Sequence, residues 1–500
     1  MPRQLSPLRT EPPAPGLTPA RFHAVVAVAG IAFGFTAPLT AVFAAALGAG
    51  GLLIGVAVSS ATMSVLVVDI FGTRWTPRLE VRAAVTVALL VFGAGSLATA
   101  FATGYATMVT ARVVQGIGVA LFLGVGPQLA VRLADPRTGL RRPTGRALGS
   151  FNAAWFAGIA LGPLLGGGVS GLATGASGLR LAYAVCGVLS WLIAALVWLT
   201  FPRTASGRSP EWGLPTVRRL GGPRGYAVLV AGGLGQAVRS GIAMTVLPLF
   251  GSTVLGLSPL WLGLALSCLA VTDVSAMSVA PWLSDLRGRL PVLLPACVWG
   301  ALSTSAVLAV PARAWFPVLC AAIGLTVGVA WVVPGAMAVD VLDDAETALA
   351  SYRIAADLGL IAGGVASGAA TSVLGTRGAV LAGAVNLLLI AGVVAAVRET
   401  RKRAAWPPIV LPNPTTPGGL VMPVPEPPPP PVPTPELFDA LVTDQGMGFL
   451  SAQRRAAALG THLAMRPALL KLRAMPLNFL EPVAEPASAL AWLERGGEAA

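Results

Sequence analysis

Long apolar runs alternate with short polar connections from residue 23 to residue 397. A helix crossing hydrocarbon needs about 20 apolar residues. Twelve runs meet that length: 23–47, 52–71, 81–102, 105–131, 147–172, 179–201, 225–254, 258–284, 290–311, 314–340, 348–374 and 377–397. Gly and Pro recur inside them, which membrane helices tolerate better than soluble ones. The pattern predicts an all-α membrane protein of twelve transmembrane helices. The longest internal connection, 202–224, carries five Arg and divides the spans six and six, giving two bundles at 22–201 and 225–397. The first run ends in Ala44, Ala45 and Ala46, which resemble a signal-peptide cleavage site, but it exceeds a normal signal-peptide core and is expected to stay as a span.

The flanks read differently. Residues 1–21 are basic, hold six prolines and are expected to be disordered. Residues 398–435 form a basic and then Pro-rich linker, with 14 prolines between Pro407 and Pro435, extended and semi-rigid. For the tail, 436–500, two readings stay open. One is a set of short helices, best at 450–464 and 487–494, with Arg454 and Arg455 beside Leu450, Leu459 and Leu463 suited to an acidic lipid surface. The other is a disordered tail.

Charge sets the orientation. Connections on one side of the twelve runs hold 22 Lys or Arg, while the other side holds only Arg180, Arg313 and Arg377. By the positive-inside rule both termini are expected in the cytoplasm, with the protein in the plasma (inner) membrane. This topology also explains a net charge of +13 better than nucleic-acid binding does. Composition agrees: 55% of residues are apolar and 11% charged, against about 25% charged in soluble domains. Cys186, Cys268, Cys297 and Cys320 all lie in apolar runs without CxxC spacing and read as buried small hydrophobes. His23 and His462 cannot form a zinc set, and no His pair or Ser/His/Asp set suggests an enzyme, so neither metal nor cofactor is expected.

The two halves echo each other. At an offset of 201, Ser150, Phe151, Gly158 and Gly162 correspond to Ser351, Tyr352, Gly359 and Gly363. Small residues recur every four positions in both runs, so a neighbouring backbone can approach closely. Asp69-Ile70-Phe71-Gly72 likewise matches Asp285-Leu286-Arg287-Gly288. A parallel six-plus-six repeat suits a transporter whose halves rock about a midplane site.

Three motifs carry a family resemblance over residues 20–400. The sequence Pro281-Trp282-Leu283-Ser284-Asp285-Leu286-Arg287-Gly288-Arg289 and its degenerate partner Asp69-x-x-Gly72-x-Arg74 match one loop signature. Arg112-Val113-Val114-Gln115-Gly116-Ile117-Gly118 supplies the second. Gly158, Gly162, Pro163, Gly166 and Gly167 supply the third. Together they resemble the major facilitator superfamily. The twofold echo suggests that Asp69 faces Arg353 and Asp285 faces Arg146, and the resemblance implies a conformational latch at Asp69, Gly72, Arg74, Asp285, Gly288, Arg289 and Arg353. It also implies that the run-five motif marks an antiporter exporting drugs or metabolites against inward proton flow. From the residues alone, run five is a Pro-bent, Gly-lined, closely packed helix.

Ionised groups at membrane depth cost about 2.5–3.5 kcal/mol on insertion scales and are functional candidates. Here they are Arg112, Arg239, Asp273 and Asp357. Arg112 is expected to act on a carboxylate that meets it. Arg239 and Asp273 can pair, although counting inward from the span ends leaves them about 10 Å apart in depth. Arg353 and Asp357, four residues apart, can form an intrahelical pair. Asp340, with Asp343, Asp344 and Glu346, reads as a solvated loop. Run one has no acidic residue, so coupling must use Asp273 or Asp357, or protons are not involved. Phe33, Thr36, Gln115, Asn152, Trp155 and Gln236 suit a largely apolar substrate cavity.

The expected function is proton-coupled export of small amphipathic molecules. The expected partners are the lipid bilayer, the small-molecule substrate and protons, with no nucleic acid, and the protein is expected to be a monomer. Alternatives are an uptake permease or uncoupled facilitator, and a membrane sensor or scaffold acting through the tail.

Overall fold

A computed structural model describes residues 19–71, 81–134, 144–201, 222–309, 313–342, 345–397 and 399–400. The expectations for residues 1–18, for most of the connection 202–224, for Gly72 and Arg74, for Asp343 and Asp344, and for the linker and tail from 401 onward lie outside the described residues.

The described chain is helical throughout, because only helices and closed barrels satisfy their own backbone in hydrocarbon. In chain order the helices are α1 (Ala20–Ala46), α2 (Gly51–Phe71), α3 (Val81–Ala100), α4 (Tyr105–Ala134), α5 (Thr144–Ser170), α6 (Gly175–Thr200), α7 (Gly222–Val254), α8 (Pro259–Arg287), α9 (Leu290–Ala306) and α10 (Phe316–Val341). Ala345–Val397 follows as one long helix. Among the described residues, eleven helices are therefore long and apolar enough to span a membrane. The eleventh has 51 such residues, about 76 Å at 1.5 Å per residue, which is more than two hydrocarbon thicknesses. Gly375 divides it, at φ 71° and ψ 173°, a conformation open to glycine and closed to most side chains. Its two parts, 345–374 and 376–397, are called α11 and α12. Large apolar side chains such as Leu172, Leu199, Leu302 and Val373 are exposed, as lipid-facing positions can be.

Two runs are less regular than their composition predicts. Run one is interrupted: Pro19–Thr36 and Leu39–Ala46 are separate helices, broken at Ala37–Pro38. Pro38 brings no backbone donor and its ring crowds the preceding turn. Run seven widens into π-helical turns over Arg239–Val246 and Phe250–Val254. Pro248 lies between those segments, and the Thr245 hydroxyl donates back to the Ser240 carbonyl at 2.9 Å. Such bulges collect at functional sites, and Arg239 opens this one.

The repeat expected from sequence appears as packing. Gly158, Gly162 and Gly166 of α5 lie on the α1 backbone at Ala27–Ile31, Gly34 and Phe35. Exactly one repeat later in sequence, Gly359 and Gly363 of α11 lie on Gly233 and Ala237 of α7. A second small-residue face on the same helices joins the halves. Gly167 meets Pro259 and Gly263 of α8, while Gly364 and Gly368 meet Gly55 and Gly51 of α2. Thus α5–α8 and α2–α11 are two related seams. Each carries a serine hydrogen bond: Leu164 N–H donates to Ser267 Oγ at 2.9 Å, and Ser59 Oγ donates to the Ile361 carbonyl at 2.9 Å. At the end of α2–α11 away from the Arg-rich loops, Leu52 N–H donates to Ser372 Oγ at 2.8 Å.

Candidate functional site: buried charges on the helices beside the seams

Helices α1, α4, α7 and α10 pack against the seam helices α5, α2, α11 and α8 respectively. They and the seam helices carry the buried charges.

At the Arg-rich end of the α2–α11 seam, Arg353 donates to Asp69, with Nε–Oδ2 2.8 Å and Nη2–Oδ2 2.7 Å. The sequence echo placed Asp69 near Arg353, and the two are joined. Asp357 lies one turn further along α11. It is 9% exposed and its Oδ2 has no hydrogen-bond partner. The four-residue spacing allowed an intrahelical Arg353–Asp357 pair; the Arg353 guanidinium instead reaches across the seam to Asp69.

In the C-terminal half, Arg239 of α7 grips Asp273 of α8 with two parallel bonds, Nη1–Oδ2 2.7 Å and Nη2–Oδ1 2.8 Å. The depth difference inferred from span ends does not separate them, because the wide turns of α7 and the long Arg side chain close the gap. The guanidinium carbon also sits 4.8 Å from the Trp331 ring centroid, on α10, and Met277 Sδ lies beside it. Gln236, one turn before Arg239, is fully buried beside the Tyr352 side chain.

The N-terminal half holds a different cluster. Arg112 of α4 is 8% exposed and donates to Gln115 Oε1. Gln115 Nε2 donates to Ser96 Oγ of α3 at 2.8 Å and to Thr36 Oγ1 of α1 at 3.4 Å. Thr40 and Tyr183 share a hydroxyl hydrogen bond of 2.8 Å, and Cys186 Sγ donates to the Ala32 carbonyl at 3.1 Å. The carboxylate expected to meet Arg112 is not among its partners in the described residues; the neutral Gln115 takes that place.

Outside the spans, Arg289 is a hub. It bonds Asp285 (2.5 Å), Asp340 (2.9 Å) and Ser284 Oγ (2.8 Å). Burial works against its charge, but hydrogen bonds to Asp340 and Asp285, together with their charges, hold its pKa above the ordinary arginine value. Asp340 is therefore an ion-pair partner and not a solvated loop residue. Asp285 pairs with Arg289 one turn away and is otherwise exposed; the Arg146 side chain expected opposite it lies outside the described residues. Gly288, at φ 103°, makes the turn between α8 and α9. Glu399 accepts from the backbone N–H groups of Arg289 (2.9 Å) and Leu290 (3.1 Å), where the dipole of α9 favours an anion.

The sequence matches the family profile described as Major Facilitator Superfamily over residues 22–298, more than half of the chain. The chain belongs to the major facilitator superfamily. It is a multi-pass membrane transporter. No curated protein matches it. Solved structures show the same fold at low identity. The nucleoside transporter NupG is 14% identical with a TM-score of 0.61, covering 76% of this chain and 98% of that one. The xylose transporter XylE from E. coli, in a partially occluded inward-open conformation, is 16% identical with a TM-score of 0.59, covering 77% and 99%. A bacterial homologue of the human lysosomal transporter Spinster, inward-facing and unoccupied, is 15% identical with a TM-score of 0.57, covering 76% and 95%.

Within this superfamily chain, the residues expected to line a cavity fall into three groups. Thr36, Gln115 and Gln236 are buried polar groups beside the charges just described. Phe33 stacks on Phe92 with centroids 4.1 Å apart and meets Trp155 edge-on at 4.7 Å, so both belong to an aromatic core with Phe122 and Phe151. Asn152 is exposed. Sequence reading missed Ser96, Tyr183, Trp331 and Glu399, and took Asp340 for part of a solvated loop. Tyr183 and Ser96 were visible as polar residues inside apolar runs; nothing in the local pattern marked the others.

Proposed function

We propose that the protein is a secondary active exporter of small amphipathic molecules, working by proton antiport with alternating access. It acts as a monomer in the plasma membrane, with the Arg-rich end and both termini in the cytoplasm. Its two six-helix groups, 22–201 and 225–397, move as bodies about the small-residue seams.

The observation that carries this reading is Asp357: a buried carboxylate with a partnerless oxygen, one turn from an arginine already engaged across a seam. Intramembrane carboxylates mark proton relays in transporters. Ionised Asp357 competes with Asp69 for Arg353 and weakens the α2–α11 closure. Protonated Asp357 leaves Arg353 to Asp69 and keeps that end shut. Proton occupancy and seam state are then linked, as antiport requires. Export, as opposed to uptake, is supported by the run-five motif and by the apolar, aromatic character of α1 and α5.

Uptake by symport is the second reading, favoured by fold similarity to a structure described as a D-xylose-proton symporter, 16% identical with a TM-score of 0.55. An expression screen for compound resistance, with and without a protonophore, identifies an exported compound. Its transport is then followed in inverted vesicles under an imposed proton gradient. Asp357→Asn is expected to abolish the gradient-driven component. Wild-type export by that variant would refute the coupling scheme, and accumulation into right-side-out cells would favour uptake.

A further inference from the structure

The buried charges do not balance pair by pair. Asp273 answers Arg239, and Asp69 answers Arg353. Two charges are left over among the described residues: Asp357 on α11, and Arg112 in the N-terminal half, with a neutral hydrogen-bond partner and a buried Nε that has no acceptor. A buried ion without a counter-charge is costly, and arginine is the side chain best suited to carboxylate, sulfonate or phosphate oxygens.

The surroundings are built to the same end. Ser96, Thr36, Thr40 and Tyr183 bring four hydroxyl groups around the Arg112–Gln115 pair; those of Ser96 and Thr40 donate to the Phe92 and Thr36 carbonyls and would turn from them to meet an anion. The break in α1 puts the last turn of Pro19–Thr36 beside them. The carbonyls of that turn carry only a partial negative charge, and Thr36 O already accepts from Thr40 Oγ1 and Tyr183 Oη. Among the described residues, nothing there supplies the full charge that Arg112 lacks.

We infer that Arg112 is the anion subsite of the transported molecule: the substrate is an amphipathic monoanion whose charged group pairs with Arg112 and whose apolar body lies toward the Phe33–Trp155 aromatic side of α1. This rests on the export reading for its physiological meaning, but the binding itself does not depend on the direction or the energy source of transport.

The test uses purified full-length protein in detergent and three probes with one ring system and different charge: 2-naphthoate, 2-naphthamide and 2-naphthylmethylammonium. Binding is read as the concentration-dependent rise in Tm. 2-Naphthoate is expected to bind roughly tenfold or more tightly than the amide, as a charged hydrogen bond is worth, and the ammonium to bind worst. Arg112→Gln should erase that preference. Arg112→Lys keeps the charge but loses Nε and the planar fork, so it should bind 2-naphthoate more weakly than wild type and still prefer it to the amide. If Arg112→Gln does not fold, the lysine variant and the wild-type probe series decide the matter. Equal binding of the three probes, no binding of 2-naphthoate, or an unchanged preference in the folded arginine variants overturns the inference. No gradient is applied, so a clear 2-naphthoate preference alongside absent proton-driven export would count against the export reading alone.

Discussion

Arg353 of α11 holds Asp69 of α2 across the seam between the two halves, with Nη2 2.7 Å from Oδ2. Arg353 is more than a third exposed and Asp69 about a fifth. Exposed ion pairs contribute about 0–1 kcal/mol to folding, so this one is better placed to bias a moving interface than to hold the fold. Asp69→Asn and Arg353→Gln should each lower Tm by little while raising thiol labelling of cysteines introduced along the Arg-rich end of the seam. The exchanged pair Asp69→Arg with Arg353→Asp should return labelling toward wild type. Unchanged labelling in both single variants would mean the pair does not control closure.

The Arg239–Asp273 pair should behave in the opposite way. Both side chains are largely buried and the bonding is bidentate. Removing one partner strands the other, at a cost of about 3–5 kcal/mol, whereas replacing both with apolar groups is often neutral. Asp273→Asn should therefore sharply lower Tm, and Arg239→Met with Asp273→Leu should recover most of it. A double variant as unstable as the single one would show that the pair contributes more than mutual neutralisation.

Two glycines of one helix face different kinds of contact. A side chain at Gly162 would strike the Gly34 backbone inside the N-terminal half, and one at Gly167 would strike Pro259 and Gly263 across the α5–α8 seam. Gly162→Leu should impair folding and membrane yield, because neither backbone can retreat. Gly167→Leu should yield folded protein arrested in transport, because the halves can part at the seam. Normal turnover in Gly162→Leu would show that α1 and α5 are not closely packed.

Glu399 caps the start of α9 and stands beside the Arg289–Asp340 pair. Glu399→Ala should remove two charge-assisted hydrogen bonds to backbone N–H groups, with a loss of about 1–2 kcal/mol, read as a Tm decrease. Glu399→Gln should retain part of it, since the amide oxygen still accepts. Equal loss in both variants would mean that charge, and not acceptance, is what α9 requires.

Hydrophobic run length and loop charge made the membrane class, the approximate span positions and the repeat legible in the linear chain, because lipid imposes one demand on every span: an apolar stretch of fixed length with its backbone satisfied. Spacing of small residues also disclosed that α5 and α11 are closely packed. That spacing could not say that each helix has two such faces, one turned into its own half and one toward the other half. The partners of the buried charges were decided only in three dimensions. Arg353 passes over its near neighbour Asp357 to reach Asp69, 284 positions away in the chain. Arg239 reaches Asp273 through a widened helix, and Arg112 meets an amide where a carboxylate was expected. Pairing of long, flexible cations depends on helix rotation and on breaks such as Ala37–Pro38, and those follow from packing against other helices, which no local pattern contains.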